Sequence, residues 1–171
     1  VVETARKWGK RRRVHCIAGN HEEMFLESFT DREMLRHFLK HGGRETVLSY
    51  GIKRKRYNEL TMKELQRELH ALVPAAHREF LAGMEDIVIA GDYVFVHAGI
   101  NPKHSIEDQK QSDLRWIRDR FLKHREPFRP FAPSVCVEHA QRYFDIPFEI
   151  PYMLIVATVR PAMRSVIPAV V

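Results

Sequence analysis

Val14-His15-Cys16-Ile17-Ala18-Gly19-Asn20-His21-Glu22 is the stretch on which the reading of this chain turns. Val14 to Ala18 is a short apolar run of the kind that forms a buried strand. It stops at a glycine that permits close approach, an amide oxygen that can ligate a cation and an imidazole that can give a proton. A strand delivering these three groups to one sheet edge predicts an α/β fold with a metal and phosphate site at the strand end.

The segment Ile87-Val88-Ile89-Ala90-Gly91-Asp92-Tyr93-Val94-Phe95-Val96-His97-Ala98-Gly99-Ile100 supports that reading. Two β-rich runs flank Gly91-Asp92, which is turn chemistry, so a hairpin is expected. His97 closes its second strand and stands, like Asn20 and His21, at a C-terminal strand end. Outward from these anchors, Met34, Leu35, Phe38 and Leu39 fall at helical spacing, with Gly42-Gly43 as the expected stop. Thr61-Met62-Lys63-Glu64 is a capping box, and Met62, Leu65, Leu69 and Leu72 form an apolar stripe ending at Pro74. A short helix over about Ala75 to Met84 leads into the hairpin. Asp108 to Lys123 carries Leu114, Ile117 and Phe121 on one face, the pattern of a helix with one buried side.

The chain has 171 residues, of which 44% are hydrophobic, enough for a sizeable core in a single globular domain. Its formal net charge of +6 favours anionic partners, phosphate groups first, with nucleic acid disfavoured because basic and acidic residues alternate along the helices without interleaved aromatics. Two cysteines, Cys16 and Cys136, show no Cys-x-x-Cys spacing, which excludes a disulfide framework and a zinc ribbon. The longest apolar run, Tyr152 to Val159, is far short of the roughly 20 residues of a membrane helix, so a cytoplasmic protein without membrane contact is expected. Seven of the nine prolines lie from Pro127 onward, and Tyr143 to Val171 is apolar without clear periodicity. The expected organisation is therefore a domain over residues 1–127 and a divergent, Pro-rich tail over 128–171.

Gly19-Asn20-His21-Glu22, Val96-His97-Ala98-Gly99-Ile100, Gly42-Gly43-x-x-Thr46-x-x-Ser49-Tyr50-Gly51 and Asp113-Leu114-x-Trp116-Ile117-Arg118 together resemble the bacterial serine/threonine protein phosphatases of the calcineurin-like metallophosphoesterase superfamily. The resemblance covers roughly Arg12 to Pro127. It implies an α/β fold, an incomplete metallophosphoesterase β-sandwich flanked by helices. It also implies hydrolysis of phosphate monoesters by metal-activated water, on a phosphorylated protein or a small phosphate ester. Two divalent cations would serve a complete member, manganese first, with iron or zinc as alternatives. On this resemblance Asn20 and His97 are metal ligands, His21 is the general acid and Arg118 holds the phosphate, with Arg120 as the alternative.

Each position also has a local reading. Asn20 suits a helix N-cap and His21 a hydrogen-bonded histidine at a strand end, His97 a satisfied core histidine, Arg118 a solvated helix face, and Glu22 and Glu23 the helix N-terminus, where acids are favoured. The sequence departs from the family at both ends. No Asp-x-His or Gly-Asp-x-x-Asp-Arg-Gly precedes the first motif, and no Gly-His-Thr follows; His139 is the nearest candidate for the last metal ligand. The expectation is a fragment with impaired activity whose tail derives from a shifted reading frame. A dinucleoside tetraphosphate hydrolase on the same scaffold, and a non-catalytic basic module that holds phosphate or nucleic acid, are the competing readings.

Overall fold

A computed structural model describes residues 1–11, 13–90, 93–124, 136–139 and 155–158. They form two compact units, Val1–Glu85 and Asp86–Val171. Helices and strands are both present, so the mixed α/β class stands; a second sheet, which a sandwich requires, is not found among the described residues.

The first unit is helical: α1 (Val2–Gly9), α2 (Asn20–Glu27), α3 (Arg32–Phe38), α4 (Arg44–Ser49), α5 (Arg54–Glu59), α6 (Met62–Leu72) and α7 (Ala75–Ala82). Its core gathers Met24, Phe25 and Phe29 from α2 and the turn after it, Leu35 and Phe38 from α3, Val47 from α4, Leu65 and Leu69 from α6, and Leu81 from α7. Helix α2 packs on α3 and α7, and α3 on α6. Val14 to Ala18 does not become a strand. Its pairing is a single parallel bridge, Ile17 to Glu85, framed by Glu85 N–H donating to Cys16 O at 2.9 Å and Ala18 N–H to Glu85 O at 2.8 Å. A ladder needs a run of partners, and one residue of the opposing chain supplies a single rung.

The Gly42-Gly43 pair kinks the chain instead of stopping it. Asp31 caps α3 through Glu33 N–H at 2.7 Å and Met34 N–H at 3.3 Å, and after Phe38 a kinked turn, Leu39–Gly43, with His41 and Gly42 out of helical geometry, leads directly into α4. Gly42 takes φ +95°, which a side chain would resist, and Gly43 lies under the Phe38 ring, where an added Cβ would sit 2.4 Å from a ring carbon. Both glycines are needed locally, one for conformation and one for space.

The capping box appears as the spacing predicts. Glu64 N–H donates to Thr61 Oγ1 at 3.3 Å, while Thr61 N–H and Oγ1–H donate to the Glu64 carboxylate at 2.8 and 2.7 Å. These bonds, the hydroxyl first and the backbone N–H next, hold the Glu64 carboxyl below its ordinary 4.5. A carboxyl depressed in the folded state stabilises it above the ordinary value, and the contribution is lost as pH falls through the depressed one. Thr61→Ala is expected to cost about 1 kcal/mol in urea unfolding at neutral pH. The deficit should shrink as the pH is taken below 4.5; a deficit constant with pH would contradict the role assigned to the box.

The second unit carries β1 (Ile87–Ala90), β2 (Tyr93–Val96), α8 (Gln111–Trp116), α9 (Asp119–Leu122), β3 (Cys136–His139) and β4 (Ile155–Thr158). The expected hairpin is present, with Ile87 opposite Val96 and Ala90 opposite Tyr93; Gly91 and Asp92 lie outside the described residues. All pairings are antiparallel and the sheet order is β1-β2-β4-β3. Two segments beyond Pro127 are thus strands, and one of them, β4, lies in the stretch that showed no periodicity. The domain boundary expected after Pro127 lies outside the described residues, as does the rest of the tail.

The single helix expected over Asp108 to Lys123 is two. Ile117 turns to φ −60°, ψ 141°, and Arg118 to φ −134°, ψ −93°, which breaks the ladder between α8 and α9. The break preserves the burial that the pattern foretold: Leu114, Ile117 and Phe121 join Val94, Val96, Ala98, Ile100 and Ile106 in the core of this unit.

Candidate functional site

Asn20 and His21 are the first two residues of α2, and Gly19 is its N-cap. Glu22 is buried and accepts the Gly19 N–H at 2.9 Å, which satisfies one of the donors that a helix start leaves open. The His21 ring stands edge-on to Phe38, with centroids 6.2 Å apart and planes at 73°, and its Cε1 lies beside Gly42. Asn20 is half-buried. The first turn of α2 thus carries an amide, Asn20, and an imidazole, His21, of which the imidazole stands edge-on to an aromatic ring.

His97 and Arg118 belong to the other unit. His97 is half-buried and follows the last residue of β2, and the next residue, Ala98, donates its N–H to Leu114 O at 2.8 Å. Arg118 is exposed at the break between the helices, where its carbonyl accepts the N–H groups of Phe121 and Leu122 at 2.9 Å each. The four residues are therefore two neighbours at a helix start in one unit and two loop positions in the other. His139 ends β3, and its side chain lies outside the described residues. Among the described residues no group of three or more His, Cys, Asp or Glu is placed to hold a metal ion.

The second unit holds a polar network that the sequence reading missed. Asn101 is 3% exposed; its Nδ2 donates to Asp113 Oδ2 at 2.8 Å and its Oδ1 accepts the Lys103 N–H at 3.2 Å. Gln109 closes the loop from the other side. Its Oε1 accepts the Asn101 N–H at 2.7 Å, and its Nε2 donates to the carbonyls of Asn101, Ser105 and His104 at 3.0, 3.0 and 3.1 Å. A buried polar group needs such partners, and here one glutamine supplies them for a whole loop. Asp86 accepts Arg115 Nε at 2.6 Å and Gln111 Nε2 at 2.8 Å, which ties the start of β1 to α8. Asn101-Pro102 was the one legible signal, a turn dipeptide; the partners eight and twelve residues on obey no local spacing rule.

Comparison with known proteins adds a family to this geometry. The model of the family described as "Carbamoyltransferase C-terminus" matches residues 105–171. An uncharacterized protein of Synechocystis, sll1178, is 44% identical over 59 residues, which are 34% of this chain and 10% of that protein. The nodulation protein NolNO of Sinorhizobium fredii is 44% identical over 52 residues, 29% of this chain and 8% of that protein. The chain thus spans a tenth or less of the length of the curated relatives it matches. No solved structure matches.

These matches overturn the metallophosphoesterase reading, both as family and as activity: a carbamoyltransferase family model covers Ser105 to Val171, and no phosphoesterase family is found. The hydrolase and phosphatase assignments fall with it, as do the dinucleoside tetraphosphate hydrolase and the basic binding module. The physical reason is the shortness of the motifs. Gly19 to Glu22 also spells a helix start, with Glu22 on the Gly19 N–H, and Asp113 to Arg118 lies inside the carbamoyltransferase match, where it builds α8 and its exit.

Proposed function

We propose that residues 105–171 are part of a carbamoyltransferase-type enzyme and that the chain serves the transfer of a carbamoyl group to a nucleophilic acceptor. The observation that carries this reading is the family match over Ser105 to Val171.

The chemistry of the chain suits such a role. A carbamoyl group presents one acceptor oxygen and an NH2 donor, and it travels on an activated, usually anionic, carrier. Recognition needs fixed hydrogen-bonding groups and cations together. The net charge of +6 attracts an anionic carrier, and Arg118 and Arg120 are exposed cations within the matched stretch. We place the protein in the cytoplasm. In support, Cys16 is a free thiol, as is usual where disulfides do not form; no helix among the described residues is long and apolar enough to cross a membrane.

The test is transfer itself. Radiolabelled carbamoyl phosphate and a panel of hydroxyl- and amine-bearing acceptors are given to the purified protein, with phosphate release followed in parallel. Label is expected to appear on at least one acceptor, faster than carbamoyl phosphate decays alone. Label transfer no faster than the protein-free control would overturn the proposal.

A further inference from the structure

We propose that His37 and His41 form a binding site for a divalent transition-metal cation of the kind that prefers imidazole: copper, nickel or zinc. The site lies at the end of α3 in the first unit and does not rest on the carbamoyl reading.

The two histidines are four residues apart, on either side of the end of α3, and the kink there sets their rings beside each other. Both are exposed, and their ring centroids are 4.2 Å apart with planes at 44°. A cation held at about 2.0–2.1 Å from each imidazole nitrogen requires those nitrogens within about 4 Å of one another. Rings already this close reach that arrangement by small side-chain rotations.

A second observation points the same way. His41 Nδ1 lies 2.8 Å from the His37 carbonyl oxygen. A carbonyl only accepts, so the ring donates its Nδ1–H there, which leaves the Nε2 lone pair for a cation. Metal-ligating histidines are characteristically held in this way, one ring nitrogen on a backbone carbonyl and the other on the metal. The local backbone makes it feasible: His41 has left helical geometry, with φ −107° and ψ 36°, and Gly42 follows at φ +95°, so the ring folds back over the preceding turn.

The neighbouring charges set the strength. Glu33, one turn before His37, is engaged by Arg36, and Lys40 adds a like charge beside the pair in sequence. With no group of three or more ligating residues among those described, the site is bidentate and water completes the coordination.

Nickel binding to the untagged chain, followed by calorimetry, tests this. The parent protein is expected to bind one nickel ion and to gain thermal stability with added nickel. His37→Gln and His41→Gln should each weaken binding by about tenfold or more, because losing one arm removes the chelate advantage. His15→Gln should bind like the parent, although His15 has its own polar partner in the Glu85 carboxylate at 2.8 Å. Because His37 and His41 are exposed, helix content by circular dichroism should be unchanged in both variants. Absence of nickel binding in the parent, parent-like affinity in both pair variants, or loss of binding in His15→Gln would each overturn the site.

Discussion

Phe38→Ala is expected to lower the stability of the Val1–Glu85 unit by about 3–5 kcal/mol, the cost of emptying a large buried aromatic site. Phe38 is 1% exposed and sits where three parts of the unit meet. Its ring centroid lies 5.3 Å from that of Phe25 on α2 and 6.2 Å from that of His21, and Gly43 in the turn after α3 is flush against it. A loss of that size rivals the whole stability of many domains, about 5–15 kcal/mol, so the urea midpoint should fall steeply. Phe38→Leu should cost much less, since it retains most of the buried surface. If Phe38→Ala costs under about 1 kcal/mol, the helices are not organised around this ring.

Gly99→Ala is the second large effect, and it reports on the other unit. Gly99 has φ +148°, and an added Cβ would lie 2.5 Å from Phe121 Cδ1. Phe121 is 1% exposed, so its ring has no open space to enter. Overpacking of this kind costs about 1–3 kcal/mol, and a backbone conformation that L side chains rarely adopt adds a comparable amount. The two contributions separate in a double-mutant cycle. In a Phe121→Leu background the packing part of the Gly99→Ala cost should shrink while the backbone part remains. Strict additivity of the two substitutions would show that the ring and the glycine do not share the space that the structure gives them.

Local rules carried well where the interaction was local. The Thr61 to Glu64 capping box and the hairpin of Ile87 to Val96 depend on contacts within a few residues and both form; of the α6 stripe Leu65 and Leu69 are buried, while Leu72 is 37% exposed. Where the outcome depended on distant partners, the sequence was ambiguous. Val14 to Ala18 has the composition of a strand, but among the described residues only Glu85 pairs with it. Gly42 and Gly43 look like a stop, yet Phe38 packs against Gly43 and the chain goes on into α4. Ile155 to Thr158 lies in the stretch that lacked periodicity, and its strand character comes from pairing with β2 and with Cys136 to His139.

The four candidate residues of the sequence reading fall in two compact units. Asn20 and His21 do share the first turn of α2, whereas His97 and Arg118 belong to a different compact unit. The Asn101, Gln109 and Asp113 network stayed hidden because amides and carboxylates in a charged stretch look like solvated surface until their partners are known. The phosphoesterase resemblance failed for a related reason: four short motifs fit a sequence whose C-terminal two-fifths align with a carbamoyltransferase family.

Amide chemical shifts of the isotopically labelled chain during titration with carbamoyl phosphate provide the most direct check on the carbamoyl assignment, with inorganic phosphate as the matched control. Saturable shifts are expected for resonances of residues 105–171, larger with carbamoyl phosphate than with phosphate at equal concentration. Shifts absent from that stretch, or identical for the two anions, would contradict it.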